Sequence, residues 1–128
     1  MKNIFSVGDK KEYQFVVTDK DVAAFHGKIV HPVCSTFTIA REAEWTTRQF
    51  VLDLKEEHEE GIGTFVTVEH KAPAKVGSTI LFEAWIERLE QNEIVCRYQA
   101  SVQHKVVATG TTGQKVFAKE KIEKLLNS

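Results

Sequence analysis

Few residues in this sequence can break or staple a chain. Its 128 residues include two prolines, Pro32 and Pro73, two cysteines, Cys34 and Cys96, and one methionine. No Pro/Gly-rich tract, low-complexity segment or internal repeat interrupts it, so one continuous domain over residues 1–128 is expected. The cysteines form no CxxC pair and no metal-ligand spacing, which makes a reduced, cytoplasmic setting the simpler reading. No apolar run approaches the roughly 20 residues of a membrane span. The opening stretch Met1 to Asp9 lacks the apolar core of a secretory signal. A soluble protein with no membrane partner is therefore expected. Basic runs are missing too: Lys and Arg number 17 against 18 Asp and Glu, a net charge of −1. That leaves no electrostatic footprint for nucleic acid. There is no Gly-rich phosphate loop. His26 and His31 read as loop histidines, because no third ligand stands at metal-like spacing. No metal and no redox cofactor is expected.

What is present is an ordinary globular balance, with 42% hydrophobic and 27% charged residues. Glu12 to Thr18 alternates, placing Tyr13, Phe15 and Val17 on one side of a strand. Thr18-Asp19-Lys20-Asp21 offers a cap, so Val22 to Phe25 is predicted as a short helical turn. Gly27 to Pro32 reads as irregular. Ser35 to about Leu54 is the one long helical candidate. Phe37, Ala40, Glu44, Thr47 and Val51 share a face there, and Ile39, Ala43, Phe50 and Leu54 widen it. A helix this apolar is expected to be wrapped by a sheet. Lys55 to Glu60 reads as a solvated acidic turn.

After Gly61 the period becomes two. Strands are predicted over Gly63 to Lys71, Thr79 to Leu89, Glu93 to Gln103 and Val106 to Phe117. Their short turns favour antiparallel pairing. Lys119 to Leu126 closes as a short helix. One long helix against one antiparallel sheet is an α+β layout.

Three residues carry the chemistry. Glu44 interrupts an apolar helical face, and a buried carboxylate without partners is costly. Either it lies at the helix rim near Arg41 or Arg48, or it is functional. Thr36 stands at the helix start, where it or Ser35 should cap the helix. The same place offers free N–H donors that could polarise a substrate's carbonyl oxygen. His70 ends a strand on the face of Val66 and Val68, either bonded to backbone or acting as a general base. Together they form a hydroxyl, a base and an acid, as in a Ser-His-Asp group.

These residues also carry a resemblance. Ser35-Thr36 through Glu44-Trp45, then Gly61-Ile62-Gly63-Thr64 and His70-Lys71-Ala72-Pro73-Ala74, resemble the core motif of the fluoroacetyl-CoA thioesterase family. The steps are eight residues from Thr36 to Glu44 and 26 from Glu44 to His70. The likeness runs from about Val7-Gly8 to Val116. It implies a hotdog fold, a long central helix wrapped by a five- or six-stranded antiparallel sheet. It implies a homodimer joined edge to edge, with a cleft at the subunit interface that hydrolyses acyl-CoA thioesters. CoA would be part of the substrate. Thr36, Glu44 and His70 would be catalytic, and Gly63, Val30 and Val33 would lie near the acyl group. Two departures stand out. Members selective for fluoroacetyl-CoA carry aromatic lid residues just before the threonine, where this chain reads Gly27 to Cys34 without one. The family's last-strand His-x-Arg is replaced by Thr112-Gly113-Gln114.

Weaker candidates remain. Cys34 reads as a small buried thiol, Trp45 and Trp85 as core or interface. Lys71, Lys75 and Lys105 could meet CoA phosphates. Two rival functions stay open, because fold does not decide function. One is a hotdog enoyl-CoA hydratase or dehydratase, whose opening Thr18 to Phe25 resembles, though its Asp and His motif is not visible. The other is a non-catalytic acyl-CoA binding module.

Overall fold

The computed structural model describes residues 1–128. In chain order the elements are β1 (Lys10–Val16), β2 (Val22–Phe25), β3 (Lys28–Cys34), α1 (Thr36–Leu54), β4 (Glu59–Val66), β5 (Glu69–His70), β6 (Thr79–Glu90), β7 (Glu93–Val102), β8 (Lys105–Ala118) and α2 (Lys119–Leu126). Six strands form one antiparallel sheet in the order β1-β6-β7-β8-β4, with β5 also beside β8. β2 and β3 form a separate hairpin. The sheet curls round α1, which touches β1, β4, β6, β7 and β8. The expected wrapped helix is the arrangement seen.

Strand alternation builds the core. Ile80, Phe82, Ala84 and Ile86 of β6 face inward with Ile94, Cys96, Tyr98 and Ala100 of β7. Against them α1 presents Ile39, Ala43, Phe50, Val51 and Leu54, all essentially buried. Ala43, Ala84 and Ala100 are short enough to let helix and sheet approach closely. Hydroxyls then set the helix on β8: Thr112 Oγ1 and Gln114 Nε2 both donate to Thr47 Oγ1, at 3.0 and 3.2 Å. Each of these buried polar atoms thereby gains a partner, which offsets the cost of burying it.

The apolar stripe lies elsewhere on α1 than the spacing predicts. Of the shared face, only Thr47 and Val51 are buried, while Phe37 is 73% exposed. Thr38, Glu42 and Thr46 turn inward instead. Two overlapping stripes were available, and the bulk of Ile39, Phe50 and Leu54 set the phase.

Three other expectations are corrected. Val22 to Phe25 is a strand, not a helical turn. The Asp21 carboxylate accepts from the N–H and hydroxyl of Thr18, both at 2.8 Å, so it closes the β1–β2 turn instead of capping a helix. Gly27 to Pro32 is ordered as part of the hairpin, whose tip His26-Gly27 has φ of 52° and 78°. Two successive left-handed residues make the tight reversal that suits a twisted hairpin. Pro32 is tolerated in β3 because that strand pairs fully on one side only. Finally, the strand predicted from Gly63 to Lys71 starts earlier, at Glu59, and breaks after Val66. Thr67 causes the break: its carbonyl accepts from Tyr98 Oη at 2.6 Å, and its hydroxyl accepts the Thr111 N–H at 2.8 Å. The acidic run is correspondingly shorter than a solvated turn, since Glu59 and Glu60 enter β4 half-buried.

Candidate active site

The β5 break sets up the first half of the site. β5 pairs with β8 through His70 and Ala108, and this places His70 at the start of α1. Thr36 Oγ1 lies 2.7 Å from His70 Nε2. With Nε2 unprotonated, the hydroxyl donates to it, the relation a nucleophile needs with its base.

Thr36 is free to do this because its neighbour does the capping. Ser35 Oγ accepts the Thr38 N–H at 3.0 Å, and Ser35 is the N-cap. The Ser35 N–H is taken by Asp21 O at 2.8 Å. The N–H groups of Thr36 and Phe37 begin the helix and have no intrahelical acceptor. They sit beside the Thr36–His70 pair with the positive end of the helix dipole behind them. Such donors can hold an oxyanion.

A cavity of about 430 Å³ opens at this pair. Val33, Ile39, Ala72, Ala74 and Val107 contribute apolar wall, and His31 and Lys71 also line it. His31 is a strand residue opposite Ala23, not a loop histidine. Lys71 is engaged by Glu69 at 2.8 Å. Val33 reaches the cavity, whereas Val30 is 49% exposed on β3 and does not line it. Cys34 lies in the wall, buried as expected, and burial, with Asp21 nearby, pushes its thiol up to about 12. A thiol held so high is not a thiolate nucleophile near neutral pH.

The second half lies farther along α1. Glu44, Arg41, Trp45, Arg48, Gly63 and Gln114 line an open groove of about 610 Å³. Glu44 is exposed at the rim, and its carboxylate forms no hydrogen bond or ion pair. Both nearby arginines are committed elsewhere. Arg41 Nε meets Glu42 at 2.7 Å, with Asp21 at 3.6 Å from its other nitrogen. Arg48 donates to Glu60 at 2.6 Å, and that bond draws the Glu60 carboxyl down to about 2. Gly63 keeps the carboxylate's space open: a Cβ there would lie 3.1 Å from Glu44 Oε2. Gly63 stands opposite Gln114 in the β4–β8 register, just before the strand slips by one residue.

Thr36 and Glu44 are eight residues apart on one helix, a rise of about 12 Å. The structure therefore joins Thr36 to His70 and Glu44 to Gly63, and keeps the two pairs apart within one chain. Trp45, 42% exposed, lines the groove and is not core. Trp85 lies on the outer sheet face under Arg97, whose guanidinium is 4.5 Å from the ring centroid. Sequence reading gave neither His31 nor Gln114 a place at the site, yet each lines one of its halves. Gln114 carried a signal, being a polar residue between inward-facing Thr112 and Val116. No group of three or more His, Cys, Asp or Glu gathers around a point that could hold a metal.

A family model described as fluoroacetyl-CoA-specific thioesterase, FlK, matches residues 17–120. A Thermus thermophilus protein described as a thioesterase superfamily member is 30% identical, with a TM-score of 0.92 over 98% of this chain and 93% of that one. A hot-dog-like protein from Thermanaerovibrio acidaminovorans is 24% identical, with a TM-score of 0.88 over 95% and 90%. The fluoroacetyl-CoA thioesterase FlK itself is 21% identical, with a TM-score of 0.87 over 98% and 97%. No curated protein matches. A curled antiparallel sheet wrapped on one helix, with these relatives, defines a hotdog-fold acyl-CoA thioesterase. The chain belongs to the fluoroacetyl-CoA-specific thioesterase family.

Proposed function

We propose that the Thr36–His70 pair and Glu44 carry out thioester hydrolysis, with Glu44 delivered by a second copy of the chain. The observation that carries this reading is the 2.7 Å contact between Thr36 Oγ1 and His70 Nε2, beside two unclaimed helix N–H groups. The thioester carbonyl oxygen sits on the Thr36 and Phe37 N–H groups. Thr36 Oγ attacks the carbonyl carbon and its proton passes to His70 Nε2. The tetrahedral intermediate collapses, the C–S bond breaks, and the CoA thiolate takes that proton. Glu44 then removes a proton from water, which attacks the acyl-threonine and releases the acid. The Thr36 oxygen recovers its proton from Glu44 through His70.

A homodimer follows from the same reading. The Glu44 groove is lined by exposed Phe37 and Trp45 and by Gly63 and Val66 of β4, the free edge of the sheet. An unpaired edge beside apolar side chains favours strand-to-strand joining. It would set Glu44 of each copy toward the other's Thr36 and His70. Val33 and Gly63 border the acyl group, CoA enters as part of the substrate, and the reaction as written calls for no metal or redox cofactor. The protein acts in the cytoplasm, consistent with its two free thiols.

The test is free-thiol release from acyl-CoAs, with quenched samples weighed intact by mass spectrometry. Wild-type protein should release thiol and carry a trapped acyl group, and Thr36→Ala should lose both. A hydratase or a binding module would release no thiol. Thiol release by Thr36→Ala at the wild-type rate would remove Thr36 from the mechanism.

A further inference from the structure

We propose that the cavity beside Thr36 and His70 is an acyl pocket for an unbranched apolar chain of roughly six to eight carbons, taking each water-sized group as about 30 Å³ and allowing for incomplete filling. This rests on the thioesterase reading of the same site. The volume of about 430 Å³ is far more than a two-carbon acyl group displaces. A two-carbon group would leave most of the apolar wall without contacts, and unfilled apolar space adds nothing to transition-state binding.

The wall is built for hydrocarbon. Ala23, Val33, Ile39, Ala72, Ala74 and Val107 supply it, and no carboxylate lines the cavity. Short side chains at Ala23, Ala72 and Ala74 are what leave the space open. The wall is also fixed by backbone bonds: Cys34 N–H to Ala74 O at 2.8 Å, and the Lys71 and Ala72 N–H groups to Val107 O at 2.8 and 3.2 Å. Ile39, Ala74 and Val107 are buried beneath it. A charged chain end has little to meet. Lys71 is already paired with Glu69 and Ser35 is taken up in the helix cap, which leaves His31 as the other polar residue lining the cavity away from the reacting pair. The Glu44 groove is larger and carries Phe37, Trp45 and Val66 beside its two arginines and carboxylate, but it lies away from the Thr36–His70 pair.

The experiment is kcat/KM by thiol release for acetyl-, butyryl-, hexanoyl-, octanoyl-, dodecanoyl- and palmitoyl-CoA, with glutaryl-CoA as the charged control. Rates should climb about fourfold per methylene, peak at hexanoyl or octanoyl, then fall. Glutaryl-CoA should run at least about tenfold below hexanoyl-CoA. Ala72→Leu should cut the octanoyl-to-acetyl ratio by about tenfold or more, and Val33→Ala should move the peak to longer chains. Circular dichroism of both variants establishes that they fold. A peak at acetyl, a flat series, or ratios unchanged in both variants would overturn the pocket while leaving the thioesterase standing. No thiol from any acyl-CoA would overturn both.

Discussion

The two halves of the site, one at the start of α1 and one two turns on, differ in almost every physical respect. Around Thr36 and His70 the groups are closed on one another: hydroxyl to imidazole, cap to backbone, hairpin to helix. Around Glu44 the groups are open. Its carboxylate has no partner, although two arginines stand in the same groove, because each arginine already holds another acid. In our reading the first half supplies a nucleophile and its base but no carboxylate. The second has an unclaimed carboxylate but no nucleophile and no oxyanion donors. Stability explains the first arrangement in part, since helix capping by Ser35 rewards it. It does not explain an unpaired glutamate next to a glycine, and that contrast is what makes Glu44 a functional residue in our reading.

The strongest way to break this comparison is to disable each half separately. His70→Ala and Glu44→Gln should each lower thiol-release turnover by about a thousandfold, within the range for removing a general base. Unchanged rates in either would separate that half from the chemistry. Mixing the two inactive variants after unfolding and refolding sharpens the point. If the halves meet across a dimer, random pairing restores roughly a quarter of wild-type activity, because half the dimers regain one intact site. A site within one chain restores none.

Smaller effects probe the local geometry. Gly63→Ala crowds Glu44 Oε2 and should lower kcat by about tenfold with little change in KM, since a slight misplacement is costly; equal kcat would show that the carboxylate is not held there. The smallest expected effect is on folding. Glu60, drawn down to about 2 by its bond to Arg48, contributes stability above its ordinary pKa of 4.5. That contribution is lost as pH falls from about 4.5 towards 2. Because the pair is about a third exposed, Glu60→Gln should cost only about 1 kcal/mol at pH 7. It should cost nothing near pH 2, read from urea midpoints at both pH values.

Much of this was legible in the residues, and what was not has a physical reason. The long helix announced itself through Ile39, Ala43, Phe50 and Leu54. The later strands announced themselves through strict alternation and short turns such as Gln91-Asn92. The β2–β3 hairpin did not, because Thr18 to Asp21 has the composition of a helix cap. Only the fold decides whether an aspartate closes a turn or starts a helix. The burial of α1 was read about half a face out, since Phe37 belongs to the groove and not the core. Thr36 and His70 could be chosen by type and spacing, and the structure brings them together. That Glu44 would stand about 12 Å along the helix was also implied by eight residues of α-helix, yet a triad written along a sequence conceals it.

Ser35 and Thr36 put two hydroxyls side by side, and only one of them closes the helix. In our reading folding and chemistry are thereby assigned to different residues. Thr36 can be replaced without fraying α1, so its substitutions report on reaction alone: Thr36→Ala should leave the melting temperature almost unchanged, while Ser35→Ala costs about 1 kcal/mol. A lineage carrying this pair can alter its reactive side chain without first repairing its scaffold. A loss of catalysis at Thr36 would then leave an intact acyl-CoA cleft, and the step from enzyme to ligand-binding protein would be one substitution long.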